Sequence, residues 1–182
     1  MTQEEYKSLK ELLLKDLCAR LPYGVIGQCE IDASYDTSFE TKPQTHKFDA
    51  EVYGLLEEGL LFVTPLIEDQ DVQELANEEV ADGVDILDFK PYLFPLSSMT
   101  EEEAKELSIL YGIKDILSIN ITDEYIDFKI DDGFCSFERK TIWYNEIISS
   151  TETFDWLNKN HFDYRGLIEK GLAIDATGLN IY

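Results

Sequence analysis

The stretch DFKPYLFPLSSMTEEEAKEL, residues 88–107, marks the point where an extended segment gives way to a helix. Pro91 and Pro95 each lack a backbone N–H and disfavour helical backbone at the preceding residue, so a strand here is predicted to lie at a sheet edge. Thr100 and Glu103 then form the capping-box pattern that opens a helix. Local physics therefore accounts for this stretch as a strand end and a helix start.

An amphipathic helix is predicted at the beginning of the chain. Thr2 and Glu5 form a second capping box, and Pro22 ends the pattern because proline cannot continue the helical hydrogen bonds. The apolar positions between them recur every three or four residues and so share one face. These positions are Tyr6, Leu9, Leu13, Leu17 and Leu21. Cys18 is predicted to lie on the same apolar face, as a buried small hydrophobe.

Strand patterns fill much of the remaining chain. An antiparallel sheet is predicted from 24–31, 48–67 and 119–144, with hairpin turns at Gly59 and at Asp131-Asp132-Gly133. The acidic stretch 68–88 allows a short helix around Val72 to Ala81, although its apolar periodicity is weak. The C-terminal part predicts two short helices, broken at Asn160-His161 and ended by Gly171.

This order of elements is typical of an α+β fold. It predicts an antiparallel sheet, or a small partly closed barrel, packed with an N-terminal helix, a middle helix and two short C-terminal helices. The 182 residues fit a single domain over 1–182, with two lobes, 1–98 and 99–182, as the alternative.

The charge balance limits the classes of partner. The chain has 38 acidic and 15 basic residues, a formal net charge of -23. Such a polyanion opposes binding to nucleic acid or to anionic membranes and favours a protein partner with a basic surface. The N-terminus is unlike a signal peptide, and the three cysteines have no disulfide or metal spacing, so a cytoplasmic location is expected.

Residue types that carry out chemistry are few. The two histidines, His46 and His161, lie far apart in the sequence, and no phosphate-binding or nucleophile motif is present. His46 is expected to be solvated in a polar loop. A Cys–His pair formed by the fold is left open, but no metal, cofactor or catalytic site is predicted, and the expected class is non-enzymatic.

Two runs suggest a setting for the protein. KPYLFPLSSMTEEE (90–103) and WLNKNHFDYRGLIEKGLA (156–173) resemble runs shared by small uncharacterised proteins of phages and prophages of gut anaerobes. In those runs an arginine commonly follows the Tyr-Leu pair, whereas this chain has Phe94. The resemblance implies a protein of a mobile element in the host-cell cytoplasm, and it implies no activity.

Three functions are compatible with these features. The first is a non-enzymatic interaction protein that binds a host or phage protein. The second is a nucleic-acid mimic that inhibits a DNA- or RNA-binding defence protein, and the third is an enzyme without a recognisable motif. An acidic segment within 51–90, which carries twelve acids and one lysine, and a C-terminal patch are the predicted protein-binding sites. The predicted residues are Glu68, Asp69, Asp71, Glu74, Glu78 and Glu79 in the segment, and His161, Phe162 and Arg165 in the patch.

Overall fold

The computed structural model describes residues 2–32, 45–56, 59–67, 80–131, 133 and 136–182. The described helices are α1 (Gln3–Arg20), α2 (Glu101–Leu110) and α3 (Thr151–Lys159). The strands are β1 (Val25–Asp32), β2 (Thr45–Leu55), β3 (Leu60–Pro65), β4 (Val84–Asp85), β5 (Phe89–Leu93), β6 (Ile116–Ile121), β7 (Tyr125–Asp131), β8 (Phe137–Trp143) and β9 (Ile174–Asp175). The fold is α+β, as predicted. The helix expected around 72–81 falls mostly outside the described residues.

The chain forms two compact units. Unit 1 consists of residues 1–92 and 167–182, and unit 2 consists of residues 93–166. These boundaries are not those of the predicted lobes, because the last sixteen residues group with the N-terminal part of the chain. The strands in the described part of the chain form two sheets rather than the single predicted one, with six strands in unit 1 and three in unit 2.

Helix α1 begins at the predicted capping box. The Thr2 amide donates to the Glu5 carboxylate at 2.7 Å, and the Glu5 amide donates to the Thr2 hydroxyl at 3.2 Å. Leu13 and Leu17 are buried as expected. Cys18 is exposed, which corrects its predicted burial. Successive side chains of an α-helix are rotated by about 100° around its axis, so Cys18, the residue after Leu17, no longer lies on the buried face.

The same buried face of α1 carries an ion pair. Arg20 donates to both carboxylate oxygens of Asp16, at 2.7 and 3.2 Å, and the two side chains are fully buried. A buried charge is tolerated only when it is paired and hydrogen-bonded, and this bidentate geometry meets that requirement.

The sheet of unit 1 has the order β4-β3-β2-β1-β5-β9. The predicted hairpin is confirmed: β2 pairs antiparallel with β3, and Gly59 has the positive φ of 79° that the turn requires. Strand β5 lies between β1 and β9, so its predicted edge position is wrong. Gly27 faces Pro91 across the β1–β5 pair, and a Cβ at this glycine would lie 2.5 Å from the Lys90 carbonyl oxygen. Gly27 therefore allows the proline-containing strand to approach.

Unit 2 surrounds its own apolar core. The sheet order is β6-β7-β8, with both pairings antiparallel, and Gly133 has a φ of 74° in the predicted turn between β7 and β8. Met99 is buried in this core and Ser98 bonds the Pro95 carbonyl at 2.7 Å, so both serve packing and turn formation, as the structural interpretation of 88–107 predicted. The buried core residues are Leu96, Met99, Ala104, Leu107, Ile126, Phe128, Ile142, Ile147, Leu157 and Phe162.

The second predicted C-terminal helix does not form. Helix α3 ends at Lys159, and His161 has a left-handed φ of 56° that breaks the helix as expected. The chain then runs beside Phe94, which donates to the His161 carbonyl at 2.9 Å and accepts from the Asp163 amide at 2.8 Å. Turns follow, with a φ of 66° at Gly166. These backbone bonds hold the chain extended where the sequence pattern alone suggests a helix.

Candidate protein-binding face

The three-stranded sheet of unit 2 has two different faces. Ile126, Phe128 and Ile142 point into the core, and since side chains alternate along a strand, their neighbours lie on the opposite face. The strand register brings these neighbours together across all three strands. We call this surface the outer face, and its residues are Ser118, Asn120, Tyr125, Asp127, Lys129, Asp131, Phe137, Arg139, Thr141 and Trp143.

Aromatic rings occupy both ends of the outer face. Trp143 packs edge-on against Tyr125, with ring centroids 4.9 Å apart, and remains 46% exposed. At the opposite end, Phe137 is 53% exposed, and the Lys129 ammonium lies 4.0 Å from its ring centroid. A cation in this position is attracted to the electron-rich face of the ring. Both rings are therefore oriented by contacts within the sheet while much of their surface stays open to solvent.

A polar network joins the two aromatic ends. Asp127, whose side chain is 15% exposed, accepts a hydrogen bond from the Thr141 hydroxyl at 3.1 Å and pairs with the Arg139 guanidinium at 3.4 Å. The Arg139 side chain is 69% exposed, so most of its donors face solvent. The carboxylate thus orients the arginine without covering it, and the remaining N–H groups can bind an external acceptor.

The backbone of β8 adds a further binding feature. The Tyr144 amide donates to the Glu124 carbonyl at 3.0 Å, which makes these two residues a hydrogen-bonded pair. Such pairs alternate along an antiparallel ladder, so even-numbered residues of β8 bond to β7. The odd-numbered residues turn their backbone groups away from β7. Within the described chain no strand pairs with that edge. The odd-numbered residues of β8, which form this open edge, are Phe137, Arg139, Thr141 and Trp143.

The sequence prediction located these strands but not their binding features. The run FERKTIW places aromatic, basic and hydroxyl residues at alternate positions, a pattern that would have indicated one chemically distinct face. Its edge position in the sheet depends on pairing over a distance and is not encoded locally.

The predicted binding residues lie elsewhere. All six acidic-segment residues, from Glu68 to Glu79, fall outside the described residues, so their role stays a prediction. Phe162 is 1% exposed and His161 is 5% exposed, which favours packing over partner contact for this pair. Arg165 is half-buried, with its guanidinium 4.9 Å from the Tyr164 ring centroid. The structure places the aromatic ring of the patch in the core rather than on the surface.

Two features of the described residues could have indicated an enzyme: a buried cysteine and a surface cleft. Burial, reinforced by Asp88 and Asp49, raises the pKa of the Cys29 thiol to about 12, so it is not a thiolate at neutral pH. A cleft of about 400 Å³ at the start of α3 is lined by Ser149, Ser150, Thr151, Ile148 and Phe154, none of which can act as a general acid or base near neutral pH. In the described part of the chain, no cluster of three or more His, Cys, Asp or Glu residues could hold a metal.

Two neighbouring carboxylates in unit 1 predict opposite responses to pH. Burial, then the negative charges of Asp85 and Glu30, raises the pKa of Asp88. Burial pushes the pKa of Asp85 upward too, but the Leu87 amide at 3.0 Å and Lys10 at 2.7 Å outweigh it and lower the pKa overall. The charged form of Asp88 therefore destabilises the fold at pH values above its folded pKa. The charged form of Asp85 stabilises the fold, and this contribution is lost as the pH falls below about 4.

We expect Asp88→Asn to raise the melting temperature slightly at pH 7, because the substitution removes the cost of keeping this carboxylate charged. The gain should vanish near pH 3, where the carboxyl group is protonated in both states. Asp85→Asn is the matched control and should lower the melting temperature at pH 7. Thermal melts at the two pH values measure both effects, and a melting temperature lowered by Asp88→Asn would contradict the prediction.

Comparison with known proteins adds no relative. No family model, curated protein or solved structure matches the chain. None of the helices that the structure describes has the length and apolar character needed to cross a membrane.

Proposed function

We propose that this chain is a non-enzymatic interaction protein, of phage or prophage origin, that binds a host or phage protein through the outer face of unit 2. One observation carries the proposal: Trp143, Phe137 and Arg139 are exposed together on one sheet, each oriented by a contact with a neighbouring side chain. Tryptophan and arginine are enriched among residues that dominate interface energies, and rigid side chains lose less entropy on binding.

The local charge supports a protein partner for this face. Unit 2 has only seven basic residues in 93–166, and two of them, Lys129 and Arg139, lie on the outer face. Aromatic rings beside basic groups also suit single-stranded nucleic acid. The net charge of -23 opposes that ligand, since every phosphate would approach a polyanion.

The composition predicts a partner with a basic surface, and a different part of this chain would bind that surface. The acidic segment from Glu68 to Glu79 would contact that surface, while the outer face would contact a different part of the same partner. The nucleic-acid mimic remains an alternative that requires carboxylates in ordered rows, at about one charge per 1.7 Å of duplex axis.

The proposal predicts a strong dependence on Trp143. The tagged protein is used to capture partners from the native host lysate, and the affinity of each purified partner is then measured by calorimetry. Trp143→Ala should weaken binding by at least about 30-fold, the loss typical of an interface hot spot. Tyr53→Ala is the matched control, because Tyr53 is 69% exposed on β2 of unit 1 and should be silent. Unchanged affinity of Trp143→Ala for every captured partner would refute the proposed function.

A further inference from the structure

Four residues of β8 belong both to the outer face and to the open edge of the sheet. Phe137, Arg139, Thr141 and Trp143 present their side chains on the outer face and their backbone N–H and C=O groups along the edge. Every residue of β8 except Ile142 is exposed. A ligand that pairs with this backbone would therefore also pass beside the aromatic and basic side chains.

We propose, resting on the proposed function, that the partner supplies an extended segment of about seven residues, which adds to β8 as a fourth strand of the sheet. An added strand pairs its backbone with the outward groups of β8, and side chains at alternate positions give specificity. The segment has apolar residues at both ends and carboxylates at its centre.

The order of side chains along β8 sets this chemistry. Phe137 and Trp143 stand at the two ends, where they favour aromatic or β-branched neighbours across the strand pair. Arg139 and Lys140 occupy the middle, with side chains 69% and 51% exposed, although Lys140 already pairs with the exposed Glu138 at 2.8 Å. They point to opposite faces, so two adjacent carboxylates of the incoming strand would meet one base each. Both ends of β8 carry an aromatic residue. The same order of apolar residues and carboxylates is therefore required whether the added strand runs parallel or antiparallel to β8.

A second copy of this chain fits the edge less well. Two copies would bring together two molecules of net charge -23. In a two-fold pairing centred on the strand, Lys140 would also lie opposite the Lys140 of the other copy, and like charges directly opposite are destabilising. A partner segment of complementary charge avoids both penalties.

The test uses a phage-displayed library of random dodecapeptides, selected on the full-length protein, and a synthetic copy of the most enriched peptide. Enriched sequences should carry central carboxylates between apolar residues. Thr141→Pro removes one outward N–H without breaking a backbone hydrogen bond to β7, and it should weaken peptide binding by at least about tenfold. Thr141→Val keeps the N–H and should bind within about threefold of the wild type.

Hydrogen exchange followed by NMR gives a readout that needs no variant. Bound peptide should slow exchange of the Arg139, Thr141 and Trp143 amides at least about tenfold. The Lys140 amide, which already bonds to β7, should change little.

Equal peptide affinity for wild type and Thr141→Pro, or unprotected outward amides, would overturn strand addition. If Trp143→Ala still abolished partner binding in that case, the proposed function would stand. Enrichment of basic peptides, or tighter binding of oligothymidine than of any peptide, would also overturn the inference.

Discussion

Replacing Asp16 by alanine is expected to lower the free energy of unfolding by about 3–5 kcal/mol. The substitution leaves the fully buried Arg20 guanidinium in the interior without its bidentate carboxylate, and removing one member of a buried pair typically costs this much. Urea denaturation followed by far-UV circular dichroism measures the loss. Tryptophan fluorescence would not report on Asp16, because both tryptophans, Trp143 and Trp156, lie in unit 2.

The same helix provides the control. Lys7 and Glu11 form a pair with the same four-residue spacing, but their side chains are 78% and 67% exposed and the charged atoms are 3.8 Å apart. Glu11→Ala should therefore change the free energy of unfolding by less than about 1 kcal/mol. If Asp16→Ala and Glu11→Ala lowered the free energy of unfolding by similar amounts, burial would not determine how much the Asp16–Arg20 pair contributes to stability.

This buried pair shows where sequence reasoning reaches its limit. Capping boxes and turn glycines are local features, so the starts of α1 and α2 and the turn at Gly59 could be predicted. Asp16 and Arg20 have the spacing of an ordinary surface pair. Only burial separates them from Lys7 and Glu11, and burial depends on contacts between distant parts of the chain.

The candidate site was missed for a related reason. Strand β8 was predicted, but its role as an edge follows from the order of strands in the sheet. The predicted patch lies at the start of the second predicted C-terminal helix, which does not form. Instead, the backbone bonds of Phe94 to His161 and Asp163 fix the chain on either side of Phe162, whose side chain lies in the core. In β8 and in the segment around Phe162, pairing between residues far apart in the sequence therefore determines which groups are exposed.

Phe162→Ala is expected to destabilise unit 2 by about 3–5 kcal/mol, because it empties a site in which the ring is 1% exposed. The ring stacks on Trp156 at a centroid distance of 5.6 Å and meets Phe94 edge-on at 6.4 Å. Both contacts would be lost along with the buried area. Since Trp156 touches the substituted ring, urea denaturation followed by tryptophan fluorescence reports the change directly.

Phe137→Ala removes the same side chain from an exposed position and is the matched control. Phe137 is 53% exposed on β8, so its loss should change stability by no more than about 0.5–1 kcal/mol while weakening the partner complex. Phe162→Ala, assayed well below its melting temperature, should bind the partner with nearly unchanged affinity, since its effect lies in the core. The reverse result, a stable Phe162→Ala protein that has lost its partner, would restore the C-terminal patch as the binding site. The two phenylalanines therefore separate the residue that holds unit 2 together from the residue that is open to a partner.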